Sequence, residues 1–211
     1  MKFSIILLLF SIQILGQQVA VQNMRLNDTT IYFFCRGTTS KSGLAVQKFN
    51  LADAKITHVG IGFFDGKKLQ IYNASDEKKY ENNALVVDSL QSFITKNTNY
   101  FSIWKCNNDL DEFQNAKTLL EAFTTRKITF DNEFFLGNGN SYYCSEFCAE
   151  IIQIVNPIKY HFPPTETQLD EFSSKYLSRK TLKYFPVDFF QNGNSCYKIF
   201  EHDFTFETVK H

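Results

Sequence analysis

Thr57-His58-Val59-Gly60-Ile61-Gly62-Phe63-Phe64-Asp65-Gly66-Lys67-Lys68-Leu69-Gln70-Ile71-Tyr72-Asn73-Ala74 reads as two strands around a tight turn. Strand alternation sets Ile56, His58, Gly60 and Gly62 on one face and Thr57, Val59, Ile61 and Phe63 on the other. Asp65-Gly66 is a strong hairpin signal. Two glycines beside a histidine weaken a strand and mark a place where another group approaches closely. A two-residue loop puts His58 opposite Asn73, with Cβ atoms about 4.5–5.5 Å apart. A three-residue loop brings Ala74 there, and a four-residue loop Ser75. An Asn amide oxygen beside the imidazole would accept from one ring nitrogen, fix the tautomer and aim the other nitrogen at a nucleophile.

A matching nucleophile lies at Tyr142-Tyr143-Cys144-Ser145-Glu146-Phe147. The run follows Gly137-Asn138-Gly139-Asn140 and opens the apolar-periodic segment Phe147 to Val155, so Cys144 falls in the first turn of a helix. The positive end of the helix dipole favours a thiolate there. Glu146, in the same turn, reads as a structural carboxylate suited to that dipole.

Outward from these two stretches the pattern alternates strands and helices. Ile31–Cys35, Leu85–Val87 and Tyr100–Lys105 read as strands, and Gly43–Leu51 as a short helix. Asp88 is expected to cap a helix through Ile94. Asp109–Phe123 is amphipathic with Asp109 as N-cap, and Cys144–Val155 is stopped by Asn156-Pro157. A helix near Gln168–Tyr176 and closing strands around Cys196–Phe204 complete an α+β chain. Residues 17–211 show no repeat or linker and read as one domain.

The 211 residues carry 22 basic and 22 acidic side chains, a balance that offers nothing to nucleic acid or an anionic membrane. The 23 Phe and 10 Tyr predict a bulky core. Met1-Lys2, the apolar run Phe3 to Phe10 and Gly16 read as a signal peptide over residues 1–16, too short to span a membrane. A secreted or lumenal protein, not stably inserted in a membrane, is therefore expected. In an oxidising compartment five cysteines leave one over. Cys35, Cys106, Cys148 and Cys196 can form two disulfides in three connectivities, leaving Cys144 free. Asn27 and Asn73 begin glycosylation sequons, and a glycan on Asn73 is incompatible with a buried role. No His, Cys, Asp and Glu set has metal-ligand spacing, so neither a metal nor another cofactor is expected.

Thr57-His58-Val59-Gly60-Ile61, Asn73-Ala74 and Tyr143-Cys144-Ser145-Glu146-Phe147, in that order, resemble the permuted papain-like amidases of the YiiX/YaeF group, distant kin of NlpC-type and lecithin–retinol acyltransferase-like thiol enzymes. Weaker matches are Phe33-Phe34-Cys35-Arg36, Phe130-Asp131-Asn132-Glu133-Phe134 and Tyr184-Phe185-Pro186-Val187-Asp188-Phe189. The resemblance covers about residues 30–192. It implies a circularly permuted papain-like fold, with Cys144 as nucleophile and His58 as general base. The family usually has an acidic residue where this chain has Asn73, a departure that still permits an orienting role. The implied activity is hydrolysis of an amide in a peptide or N-acyl substrate through an acyl-enzyme. A lipid acyltransferase and a non-catalytic secreted binding protein on the same fold are the alternatives.

Overall fold

Apolar, largely β-branched or aromatic runs build the sheet of the computed structural model, which describes residues 26–66, 68–76 and 83–204. The signal-peptide expectation and the Glu77–Asn82 segment lie outside the described residues. Strands β1 (Tyr32–Thr38), β2 (His58–Phe64), β3 (Leu69–Ala74), β4 (Leu85–Asp88), β5 (Thr98–Cys106) and β10 (Cys196–Asp203) form one antiparallel sheet in the order β10-β5-β1-β2-β3-β4. Two small sheets flank it: β6 (Thr129–Phe130) parallel to β7 (Ser141–Tyr142), and β8 (Thr165–Gln168) antiparallel to β9 (Thr181–Tyr184). The helices are α1 (Lys41–Gln47), α2 (Leu90–Phe93), α3 (Leu110–Phe123), α4 (Cys144–Val155) and α5 (Glu171–Leu177).

Both faces of the sheet are covered. Val59, Ile61, Phe63 and Tyr72 pack with Phe113, Leu120, Phe147, Ile151 and Ile152 of α3 and α4. The opposite face buries Tyr32, Phe34, Ile71, Phe93, Phe101 and Ile103. Eight phenylalanines are less than 2% exposed, among them Phe33, Phe147 and Phe190, so the aromatic excess is spent largely on the core. α3 begins where the sequence places it: Asp109 accepts from the Glu112 N–H, and Glu112 returns the bond to the Asp109 N–H.

Two expectations are corrected. Phe64 pairs with Leu69, so the β2–β3 loop has four residues and not two. Asp65 explains the longer loop, because its carboxylate accepts from the Lys68 N–H at 2.9 Å and stabilises an Asx-type turn, with Gly66 at φ 80°. Asp88 does not cap α2 either. Ser89 takes that position, its hydroxyl accepting from the Ser92 N–H, and Asp88 ends β4 with its side chain committed elsewhere.

Candidate functional site

His58 opens β2 and, by the four-residue loop, stands opposite Ser75, while Gly60 is opposite Asn73. The β2–β3 pairing runs only as far as Ile61 and Tyr72. His58 nevertheless reaches Asn73 diagonally, on the face both share with Gly60: His58 Nε2 lies 2.8 Å from Asn73 Oδ1. Gly60 makes this contact feasible. A Cβ there would sit 2.7 Å from Ile71 Cγ2 and 3.2 Å from Asn73 Cβ. The Asn73 amide donates onward to Asp88 Oδ2 at 3.0 Å. Asn73 is 1% exposed. A glycan on a side chain so enclosed and doubly bonded is incompatible with this packing.

Cys144 is the first residue of α4, and this helix end lacks a side-chain cap at Tyr143. Its leading N–H groups therefore remain available to other partners. The backbone amides of Val59, the residue after His58, and of Ser145 are close enough to the Cys144 sulfur to favour its charged form. One turn on, the Cys148 thiol donates to the Val59 carbonyl at 3.8 Å. The first turn of α4 thus sits on the backbone beside the histidine. The described hydrogen bonds of His58 include Asn73 and no direct bond to Cys144. With Nε2 held as the N–H partner of the Asn73 oxygen, the lone pair is on Nδ1.

The electrostatics differ from the sequence expectation. Burial pushes the Cys144 thiol above its ordinary range, with the Val59 and Ser145 amides and the Arg36 charge opposing it only in part. Burial and then Arg36 hold His58 down to about 3, against the Asn73 bond, which favours the charged form. The pair at neutral pH is thiol plus neutral imidazole. The dipole argument for a thiolate loses because removing the sulfur from water outweighs half a charge at a helix end.

The weaker sequence matches tie the site together. Tyr143 Oη accepts from the Phe185 N–H at 2.8 Å, and Ser145 Oγ donates to the Phe185 carbonyl at 2.7 Å. Three residues later, the fully buried Asp188 accepts from the N–H groups of Leu51, Ala52 and Asp53 at 2.6–3.0 Å. The 184–188 segment therefore clamps both residues flanking the thiol and the loop that leads into His58. Asp131 plays a local part, accepting from the N–H groups of Glu133, Phe134 and Phe135. Glu146 Oε1 accepts from the Gly137 N–H at 2.9 Å, and burial raises the carboxyl to about 7. A groove of about 500 Å³ runs past Glu146, Glu150, Ile154 and Phe185 along α4, and Cys144 is not part of its lining.

All five cysteines are thiols in the structure. Of the four expected to pair in disulfides, only Cys106 and Cys196 meet in the described contacts, facing each other across β5 and β10 with sulfurs 3.1 Å apart. Cys35 and Cys148 are buried, and burial raises both thiols.

No family model and no curated protein sequence matches the chain. Among solved structures it is similar to the metalloprotein YiiX of Escherichia coli O157:H7, at 12% identity and a TM-score of 0.59, over 82% of this chain and 97% of that one. The fold is YiiX-like. Of this chain's described residues, no three His, Cys, Asp or Glu side chains gather as metal ligands, and no helix is long and apolar enough to cross a membrane. Asp88 is the site residue that sequence reasoning missed. Its only signal was its place at the end of a strand two ladders from His58.

Proposed function

We propose that the protein is a secreted thiol hydrolase of permuted papain-like architecture that cleaves an amide bond in a peptide or N-acyl substrate. The observation that supports this reading is the docking of the first turn of α4 on β2. There the Cys148 thiol reaches the Val59 carbonyl and brings the helix end that bears Cys144 to the strand opened by His58, whose Nε2 is held by Asn73. Nδ1 of His58 takes the thiol proton as the sulfur attacks the carbonyl carbon. The carbonyl oxygen gains the negative charge and is met by the Cys144 backbone N–H at the uncapped end of α4. The C–N bond then breaks, the amine leaves with the proton from His58, and a thioester remains on Cys144. Water, losing a proton to His58, releases the acid.

With the thiol raised and the imidazole neutral, proton transfer accompanies the attack and does not precede it. YiiX is described as a metalloprotein, but Nε2 of His58 is already occupied here and the thiol and imidazole lack a third ligand among the described residues, so no step is routed through a metal. The test is intact-mass analysis after incubation with a panel of peptide amides and N-acyl amides. An acyl adduct on Cys144, absent in Cys144→Ala and reduced at least ~10²-fold in rate in His58→Ala, is expected. Turnover unaffected by Cys144→Ala refutes the proposal. Transfer of the adduct to an added amine or alcohol in preference to water identifies the acyltransferase instead. A folded protein that acylates on nothing in the panel favours the binding protein.

A further inference from the structure

His58, Asn73 and Asp88 step diagonally across three neighbouring strands on one face of the sheet. Ile71 pairs with Asp88 and Asn73 with Val86, so Asp88 is two residues off Asn73 in register, as His58 is. The contacts are 2.8 Å from His58 Nε2 to Asn73 Oδ1 and 3.0 Å from Asn73 Nδ2 to Asp88 Oδ2. Asn73 and Asp88 are both buried, so water does not compete for the amide.

We infer that Asp88 is a positioning residue, which fixes the orientation of the Asn73 amide and through it the protonated nitrogen of His58. An asparagine amide has a donating and an accepting end, and the imidazole alone does not choose between them. Turned one way, Asn73 demands an N–H on Nε2. Turned the other, it donates to Nε2 and the ring proton moves to Nδ1, where it blocks proton uptake from a thiol. An ionised carboxylate accepts and cannot donate, so Asp88 requires the NH₂ end and leaves the oxygen to His58. The wider arrangement resembles a relay in outline, yet no proton passes through Asn73; its function is to select a tautomer. The chemical importance of that choice rests on His58 being the base, while the choice itself does not.

The experiment is nitrogen-15 NMR of the His58 ring in protein labelled at its 4 histidines, with assignment by His58→Gln. Wild type is expected to show the Nε2–H tautomer. In Asp88→Asn the partner can present either end, and a mixture with a substantial Nδ1–H population is expected, along with slower iodoacetamide labelling of Cys144. The exchange variant Asn73→Asp/Asp88→Asn keeps the charge and the atom count. The carboxylate it places at position 73 must accept from both neighbours, so the Nε2–H tautomer is restored. A folded Asp88→Asn protein that remains wholly Nε2–H overturns the inference. Where that variant does not fold, Nδ1–H in the exchange variant overturns it. Because the readout needs no substrate, a wild-type tautomer in a protein without amidase turnover would sink the hydrolase reading and leave this one standing.

Discussion

Oxidising the protein is expected to form one disulfide, Cys106–Cys196, and the effect on stability can be worked from its place in the fold. The two residues are direct partners on β5 and β10, and β10 is the edge strand of the main sheet. They are separated by 90 positions in sequence. Chain-entropy reasoning for a loop of that size gives a stabilisation of roughly 4–5 kcal/mol, by restricting the unfolded chain. For a protein of this length that corresponds to a melting shift on the order of 10–15 °C. Strain in drawing two cross-strand sulfurs into bonding distance places the observed value in the lower half of that range. The assay is thermal unfolding of air-oxidised and reduced wild type beside Cys196→Ser, with peptide mapping under non-reducing conditions. Three free thiols should remain after oxidation, and Cys196→Ser should melt alike in both conditions. An oxidised protein that melts with the reduced one refutes the reasoning. So does a bridge mapped to Cys35, Cys144 or Cys148.

Gly60→Ala should cost about 1–3 kcal/mol in urea unfolding by overpacking against Ile71, and the imidazole should lose its Asn73 contact in the NMR spectrum; Gly62→Ala, whose Cβ would meet the Gln70 carbonyl, should cost more, and the reverse order would contradict the register. Alkylation of Cys144 should quicken steadily through pH 7–9, because the thiol is raised and the histidine neutral; an inflection below pH 6 would instead indicate a thiolate–imidazolium pair. His58 binds a proton less readily folded than unfolded, so its contribution to stability is complete above 6.5 and is lost as pH falls toward about 3; denaturant midpoints of His58→Gln should fall less over that window. Glu146 has the opposite sign, since its folded value is raised from 4.5 to about 7. Stability should decline as pH climbs between those values, and Glu146→Gln should flatten the decline.

The long periodic segments were legible in sequence because each has one dominant signal. α4 begins at Cys144 and ends at Val155 as its apolar spacing dictates, and the Asp109 cap of α3 is realised in full. The hairpin shows where such reading fails. Asp65-Gly66 satisfies a two-residue turn, yet the Asp65 carboxylate can also close a four-residue one, and nothing local chooses between them. Asn73 still proved to be the partner of His58, because the missing side chain of Gly60 lets a diagonal neighbour do what a directly opposed one was expected to do. Asp88 and Ser89 are both good helix caps, and only the strand pairing reveals which one is used. The state of the thiol was illegible for another reason. A helix end can be read from sequence, whereas the desolvation that outweighs it depends on everything packed around the sulfur. β8 and β9 were missed because four-residue, half-polar strands lack a distinguishable period.

The clamp formed by Phe185 and Asp188 has a consequence for how the protein is made. Both residues lie C-terminal to His58, Asn73, Asp88 and Cys144, and they hold the thiol's flanks and the loop before β2 in one frame. During synthesis Cys144 leaves the ribosome well before Asp188 does, and β10 follows later still. A nascent or truncated chain can carry every reactive side chain without the brace that sets their spacing. On the proposed mechanism the chemistry switches on only when this late segment has been threaded home, so the order of translation itself keeps the thiol from acting on its surroundings early.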